Sequence, residues 1–478
     1  MHFFYIFRAI IFYFCDTLVT SPLQKRRTEH NSRFLNTLLM KKHLFVFIAF
    51  VFVGLYTSAQ RVEFEEYDLD NGLHVILHQD NTAPVIITSV FYHVGSKDEK
   101  TDRTGFAHFF EHLLFEGTEN IPRGQWDKIE ASNGGSGNAT TDFDRTYYYE
   151  LFPSNNVELA LWMESERLLH PIINQIGVDT QNEVVKEEKR FRVDNQPYGN
   201  LLSETLKLLF KNHPYRWTPI GSMDDLDAAT LEEFRAFNKK YYVPNNGTLV
   251  VAGDIDKVAV KKMILDYFGP IPRGADIPRV YPKEDPITET VYGKAYDPNI
   301  QIPAIIAAYR TPSFKERDAY VLDMISTYLS GGKSSVLYKK LVDEQKKALQ
   351  VQAVNLSLED YGIYALFGIP LGDIPLNDLL AGMDEEIVKM QNELISERDY
   401  EKLQNQFENQ FVNSNASISG IASSLARYHA YYNDTNLINN EIDIYRSITR
   451  EEIQEVAKKY LNPNQRVVLE YLPKKDDQ

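Results

Sequence analysis

The sequence predicts an α+β fold built from two homologous halves, and three observations support this prediction. Its 478 residues, 43% of them apolar, are too many for one ordinary domain and suit two or three. Strand-like and helix-like segments follow one another in a similar order in both halves. A stretch also repeats without a gap: TLEEFRAFNKKYYVPNN from Thr230 matches TREEIQEVAKKYLNPNQ from Thr449. Chance similarity of two helix-to-strand joints is the alternative, but the constant offset favours duplication.

The composition is that of an acidic globular protein. The formal net charge is −16 and there is no polybasic stretch, which argues against nucleic acid as the main partner. The only cysteine is Cys15, so the chain beyond it offers neither a disulfide nor a thiolate ligand or nucleophile. We therefore expect stability to come from core packing.

Residues 40–59 are typical of a secretory signal peptide. They contain a basic start, MKK, a short apolar run, HLFVFIAFVFVGLY, and small residues, TSA, before Gln60. Because this run is shorter than the ~20 residues that span a bilayer, a retained anchor is the less favoured interpretation. Residues 1–39 precede a complete signal peptide with its own methionine, and we interpret them as not part of the true protein. The segment predicts secretion, with the periplasm as the location.

The first predicted domain, residues 60–270, alternates strands with helices. Asn71-Gly72 between two extended runs predicts a β-hairpin over 62–79. The segment from 133 to 137 is predicted to be a glycine-rich loop. The other predicted strands are 84–95, 138–152 and 247–252, and the predicted helices are 104–116, 159–169, 178–193 and 230–242.

A linker is predicted at 271–290, because the stretch from Pro270 to Pro286 contains five prolines, these two included, and shows little hydrophobic periodicity. The second predicted domain, residues 291–478, repeats the alternation of the first. Its predicted strands include 304–309 and 349–355, and its predicted helices include 319–329 and 334–344.

The segment TGFAHFFEHLLFE, residues 104–116, is predicted to be a buried helix with His108, Glu111 and His112 on one face. Since a helix repeats every 3.6 residues, two imidazoles one turn apart can bind one metal ion with a carboxylate beside them. Thr104 is the predicted N-cap and Gly117 the predicted end. Hydrogen-bonded core histidines are the alternative, but His-x-x-Glu-His is a zinc-peptidase signature and favours a metal site.

A catalytic zinc site usually takes three protein ligands, so a further carboxylate is required. The predicted helix QNEVVKEEKRFR offers Glu183, Glu187 and Glu188. Glu188 shares its face with Val184 and Val185, whereas Glu187 lies one turn from Glu183 among lysines. Because the apolar face is expected to turn inward, Glu188 is the predicted third ligand. A solvated charged helix is the alternative.

These motifs resemble those of the pitrilysin or insulinase family of zinc peptidases. HFFEH is followed by EVVKEEKR, with Glu188 lying 76 residues after His112 (188 − 112), and GSGNATTDFDRTYYY, HPY and GGKSSVLYKKL resemble further segments of the family. The resemblance implies two duplicated pitrilysin-type domains, each a mixed, mainly antiparallel sheet packed with helices. The second is of inactive type, since DAYVLDMISTYL at its corresponding helix has no His-x-x-Glu-His.

The resemblance also implies residue roles. It makes His108, His112 and Glu188 the ligands of one Zn²⁺ per chain and Glu111 the general base. Where many members have a glutamate, this chain has Gln181, which we interpret as a hydrogen-bonding support of the ligand helix.

Asn138 and Ala139 lie in the segment that is similar to the family's substrate-binding edge strand. They are predicted to accept a peptide as an added strand, because small side chains and nearby glycines leave the backbone accessible. The alternative is that residues 133–137 form only a turn.

The second domain departs from the family where members commonly supply an arginine and a tyrosine that stabilise the oxyanion. The matching stretch, LVDEQKKAL, has Val342 and Leu349. The resemblance therefore implies a heterodimer with a homologue that supplies the Arg/Tyr pair. The alternative is a homodimer in which zinc alone, or Tyr338 or Lys340, stabilises the oxyanion.

Taken together, the residues and the resemblance predict a secreted zinc-dependent endopeptidase that hydrolyses unfolded peptides, with water activated by zinc and by Glu111. A non-catalytic scaffold or binding subunit of the same fold is the alternative, and the intact metal-binding motif weighs against it.

Overall fold

The computed structural model describes residues 61–474, which form two mixed sheets with helices packed against them. The predicted signal peptide at 40–59 and the segment 1–39 lie outside the described residues. The strands of the first sheet are β1 (Glu65–Asp68), β2 (His74–Gln79), β3 (Val85–Tyr92), β4 (Ser136–Thr141), β5 (Thr146–Pro153) and β6 (Gly247–Gly253). They lie in the order β1-β2-β6-β3-β5-β4, which places β4 at an edge.

Eight α-helices lie before residue 270 within the described residues. They are α1 (Phe106–Leu113), α2 (Trp126–Ser132), α3 (Val157–Leu169), α4 (Gln175–Lys189), α5 (Leu201–Leu209), α6 (Met223–Ala228), α7 (Leu231–Tyr241) and α8 (Lys257–Phe268). A π-helical segment, Arg190–Asp194, continues α4.

The second sheet has the order β7-β11-β8-β10-β9. Its strands are β7 (Val291–Asp297), β8 (Ala304–Thr311), β9 (Ala348–Leu356), β10 (Gly362–Pro370) and β11 (Val467–Pro473). Its helices are α9 (Arg317–Ser330), α10 (Leu376–Asn392), α11 (Glu397–Ser414), α12 (Ile418–Tyr432), α13 (Leu437–Ser447) and α14 (Arg450–Tyr460). No helix or strand lies between Phe268 and Val291, where the linker is predicted.

The five strands β2 to β6 have the same topology as β7 to β11, and β1 is an additional edge strand of the first sheet, which confirms the predicted duplication. β2 pairs with β6 in parallel as β7 does with β11, and the other strand pairs of both sheets are antiparallel. The repeated sequence forms the same joint twice. Thr230 and Thr449 each accept a hydrogen bond from a glutamate amide three residues later. The two helices then lead to β6 and β11, the strands that form the parallel pairs with β2 and β7. Each domain is therefore an α+β unit with a mixed, mainly antiparallel sheet.

Each domain has its own hydrophobic core. In the first, Val90 of β3 packs with residues of α1, α3, α7 and α8. In the second, β8, β9 and β10 pack against α9, α10 and α14. The other face of the first sheet is covered from the second half of the chain, where Ile421 and Leu425 of α12 contact Ile87 and Val250. Among the described residues, no helix combines the length and the apolar composition that crossing a membrane requires.

The predicted strand at 138–152 is wrong as a single element, because the structure has two strands, β4 and β5, joined by a turn. The carboxylate of Asp142 accepts hydrogen bonds from the amides of Asp144 and Arg145 and reverses the chain there. The predicted glycine-rich loop is shorter than expected, since Ser136 and Gly137 already belong to β4. The hairpin at Asn71-Gly72 is confirmed by the β1 and β2 pairing.

Helix α1 is shorter than the predicted 104–116, and Thr104 is not its cap. Gly105 occupies the N-cap position at a φ of 94°, a conformation that favours glycine. The carboxylate of buried Glu99 accepts from the amides of Gly105 and Ala107 at 2.9 and 2.8 Å, so it takes over the capping role. The hydroxyl of Thr104 instead donates to Asp225 at 2.5 Å. The helix ends at Leu113, before Gly117.

Candidate metal centre

Helix α1 presents His108, Glu111 and His112 on one side while its aromatic residues fix its position. Phe106 and Phe109 stack on Phe234 of α7 with ring centroids 4.6 and 4.5 Å apart. One ligand atom from each of the three polar residues lies within 4.8 Å of the other two. The predicted side-by-side arrangement of two imidazoles and a carboxylate is therefore present.

Glu188 of α4 completes the group. Its Oε2 lies 3.1 Å from Nε2 of His112 and 3.6 Å from Nε2 of His108. Ligand atoms of a tetrahedral zinc ion with bonds of about 2.0–2.1 Å are separated by about 3.3 Å, so these spacings fit one shared ion. The same Oε2 is buried and makes no hydrogen bond of good geometry within the described residues. Since such an atom is costly to bury, a cation between the three side chains would satisfy it.

The electrostatics of the group favour a metal-binding state at neutral pH. Burial, and then the neighbouring His112, lower the pKa of His108 to about 4, so its imidazole is neutral. The contact with His112 is the largest cause that lowers the pKa of Glu188, so its carboxyl is ionised. Zinc binds neutral imidazole and ionised carboxylate, which are the forms that these pKa shifts favour for His108 and Glu188.

Glu111 has the environment of a general base. Burial raises the pKa of its carboxyl above the ordinary value, and a hydrogen bond from the Thr141 hydroxyl, 2.6 Å from Oε2, acts in the opposite direction. A carboxylate whose pKa is closer to neutrality is a better proton acceptor and a better proton donor in turn. Thr141 ends β4, so this bond also ties the edge strand to the centre.

The helix α4 separates Glu188 from its neighbours in sequence. The side chain of Glu188 is 15% exposed, whereas that of Glu187 is 72% exposed and pairs with Arg190. Val185 is buried as expected, but the expectation that Val184 shares the inward face is wrong, since it is 44% exposed. The reason is that α4 buries only a narrow stripe, on which Val178, Val185 and Glu188 lie seven and three residues apart.

Gln181 lies on the same stripe but bonds to no ligand side chain. Its Nε2 donates to Oε1 of Glu116 at 2.5 Å, and Glu116 also pairs with Arg123. Gln181 thus links α4 to the segment that follows α1.

Asn138 and Ala139 lie on the free edge strand β4. The amide of Asp142 donates to the carbonyl of Arg145, so this residue pair is hydrogen-bonded. Bonded and non-bonded pairs alternate along an antiparallel ladder, and Ala139 lies three residues before Asp142. The N–H and C=O of Ala139 therefore point away from β5. In agreement, the Ala139 amide donates to the side chain of Asn138 at 2.9 Å. The Ala139 side chain is buried and that of Asn138 is exposed.

Several residues near the centre escaped the sequence analysis. Thr141 bonds to Glu111 thirty residues away, and Glu99 lies six residues before Gly105, outside the helix that it caps, so no helical spacing marks either residue. Arg192, whose Nη1 lies 2.9 Å from Oε1 of Glu188, was detectable from its i, i+4 spacing. Val342 is partly buried in the second core and Leu349 of β9 is 48% exposed; neither carries a polar side-chain atom.

Comparison with known proteins identifies relatives over most of the chain. A family model described as "Insulinase (Peptidase family M16)" matches residues 74–215, and one described as "Peptidase M16 inactive domain" matches residues 228–407. The zinc protease PqqE of Helicobacter pylori is 30% identical over 408 residues, which cover 84% of this chain and 91% of that protein. An uncharacterised zinc protease of Mycobacterium leprae is 24% identical over 82% of this chain and 88% of its own length.

Solved structures agree. The crystal structure of a protease from Helicobacter pylori matches with a TM-score of 0.82 and 28% identity over 87% of this chain and 100% of that one. The first half of the periplasmic protease PqqL from Escherichia coli matches with a TM-score of 0.71 and 20% identity over 87% of this chain and 93% of that one, and shows the fold. With two M16-type domains and a relative that is 30% identical over most of both proteins, the chain belongs to the pitrilysin or insulinase family of proteases, peptidase family M16.

Proposed function

We propose that this chain is a zinc-dependent endopeptidase that hydrolyses unfolded peptides, with the centre on α1 and α4 as its active site. The observation that supports the proposal most directly is the convergence of His108, His112 and Glu188 at spacings suited to one zinc ion, with Glu111 beside them. The family supplies the chemical context, since relatives of similar length are named zinc proteases.

In this proposal, His108, His112 and Glu188 hold one zinc ion, which supplies Lewis-acid activation of water and of a peptide carbonyl. Glu111 accepts the proton of the attacking water on a carboxylate oxygen and later donates it to the leaving amine. The Thr141 hydroxyl holds Oε2 of Glu111 in place for both transfers. Arg192 binds Oε1 of Glu188 and leaves Oε2 directed at the imidazoles.

The substrate is proposed to add to the sheet as a strand along β4. Ala139 offers an outward N–H and C=O, and Thr141, farther along the same strand, contacts Glu111. Main-chain pairing binds any extended peptide and excludes folded segments, because their backbone groups are already bonded. This supports unfolded peptides as the substrate class.

The proposed location is the periplasm, reached through the signal peptide at 40–59 and its cleavage before Gln60. The sequence pattern of that segment supports the proposal. A periplasmic protease is also among the structural neighbours.

The decisive test replaces Glu111 by Gln, which keeps the size of the side chain and removes its basicity. We expect the zinc content of the parent protein and a loss of peptide cleavage of about 10²- to 10⁴-fold. Metal analysis and the turnover of fluorogenic peptides measure both. Glu187→Gln, on the exposed side of α4, is the matched control and should cleave as the parent does. Full activity of Glu111→Gln would remove Glu111 from the mechanism.

A further inference from the structure

A second group of metal-binding side chains lies where the two domains meet. Glu66 of β1 and His74 of β2 come from the first domain, and His429 of α12 comes from the second. One ligand atom from each residue lies within 4.8 Å of the other two. We propose that these three residues form a second site for a transition-metal ion of the zinc class, which joins the domains.

The distance between His74 and Glu66 is similar to the ligand spacings at the first centre. Nε2 of His74 lies 3.3 Å from Oε2 of Glu66, close to the separation of about 3.3 Å expected for two ligands of one tetrahedral zinc ion. At the α1 centre the imidazole nitrogens lie 3.1 and 3.6 Å from Glu188.

His74 lies between two carboxylates, with Nδ1 near Asp68 and Nε2 near Glu66. Oδ1 of Asp68 lies 2.7 Å from Nδ1 of His74, so it would accept the N–H of the tautomer that binds a metal through Nε2. In that tautomer Nε2 carries the lone pair and faces Oε2 of Glu66 at 3.3 Å. A carboxylate that orients a histidine in this way is a common support of metal-bound imidazole. The simpler alternative is an imidazolium held between two carboxylates, which binds no metal.

The other two proposed ligands are Oε2 of Glu66, which a hydrogen bond holds in place, and a ring nitrogen of His429. The Thr435 hydroxyl donates to Oε2 of Glu66 at 2.5 Å and fixes that carboxylate from the second domain. The ring of His429 stacks on His74, with centroids 3.3 Å apart and planes 3° from parallel. Neither ring nitrogen of His429 has a hydrogen bond within residues 61–474.

Binding requires a small movement of His429. With the rings parallel, a shared ion lies outside at least one ring plane, so the His429 ring must rotate toward the ion. His74 and His429 line an open cleft of about 690 Å³, which gives room for this rotation and access for the ion. The ion would then connect the β1–β2 hairpin to α12.

The test uses the full chain with the first centre removed by His108→Ala and His112→Ala. After dialysis against zinc chloride, this double variant should retain one zinc per chain, and the parent should retain two. Adding Glu66→Gln or His429→Ala to the double variant should remove the remaining zinc. Glu66→Gln keeps a side chain that can bond to Thr435, so it tests the site even where His429→Ala disturbs folding.

His78→Ala is the matched control, since this buried histidine of β2 bonds through Nδ1 only to the carbonyl of Glu63 and should not affect metal content. Circular dichroism checks the fold of each variant. The absorption of bound cobalt reports nitrogen ligation. It should show two cobalt sites in the parent and one in the double variant. A double variant that binds no zinc, or retention of its zinc after both Glu66→Gln and His429→Ala, would overturn the proposal.

Discussion

Glu187 and Glu188 are adjacent in sequence, but the side chain of Glu187 is exposed and that of Glu188 is largely buried. If Glu188 is a ligand, Glu188→Ala should lower the zinc content by about one equivalent per chain, because a charged ligand of the first centre is lost. Glu187→Ala removes only an exposed pair with Arg190 and should retain the zinc of the parent. Metal analysis of the two purified variants gives the comparison. Zinc retained by Glu188→Ala and lost by Glu187→Ala would reverse the assignment.

At this scale, the sequence was most informative where chemistry follows helical spacing. His108, Glu111 and His112 lie within one turn and a half of one helix, so their convergence could be predicted from the chain alone. Glu188 needed a choice of helix face, which burial of Val185 supported and exposure of Val184 did not. The contacts of Gln181 with Glu116 and of Thr141 with Glu111 join distant segments, and spacing carries no information on them.

Strand β4 gives a prediction at the scale of elements. Because backbone groups alternate along a strand, only every second amide of an added peptide faces β4. Methylating those amides of a cleaved peptide should raise KM roughly fivefold or more, since each loses a hydrogen bond worth about 1 kcal/mol. Methylating the amides between them, away from the cleaved bond, is the control and should change KM little. An equal effect at every position would argue against strand addition.

Boundaries of elements followed from sequence only where local signals dominate. The capping boxes at Thr230 and Thr449 are local, and each helix begins at the next residue, so the first begins within one residue of its predicted start at Thr230. Helix α1 begins later than expected because its first amides are bonded by Glu99, which lies outside the helix. The turn at Asp142, which divides the predicted strand 138–152, was not predicted because no glycine or proline marks it in the sequence.

For the whole molecule, the duplication leaves the His-x-x-Glu-His motif in the first half alone. Helix α9 follows β8 as α1 follows β3, but Arg317–Ser330 contains no histidine. The second half instead contributes α12, which covers the far face of the first sheet. The duplicated fold could be predicted from the repeat of 17 residues, because a gapless match at a joint between helix and strand indicates a repeated fold. The packing of α12 on the first sheet could not be predicted from the repeat, since it depends on contacts between the domains.

In the second half, Val342 and Leu349 stand where family members commonly have an arginine and a tyrosine. Neither side chain can donate a hydrogen bond to the oxyanion. Losing one such donor typically costs about 10²- to 10³-fold in turnover. We therefore expect the purified chain to bind zinc but to cleave peptides poorly alone, and to form a heterodimer in which a homologue without His-x-x-Glu-His supplies an arginine and a tyrosine. Adding that homologue should raise turnover by orders of magnitude, whereas the same homologue with both residues replaced should not. Full activity of this chain alone, unchanged by the homologue, would instead favour a homodimer in which zinc, Tyr338 or Lys340 stabilises the oxyanion.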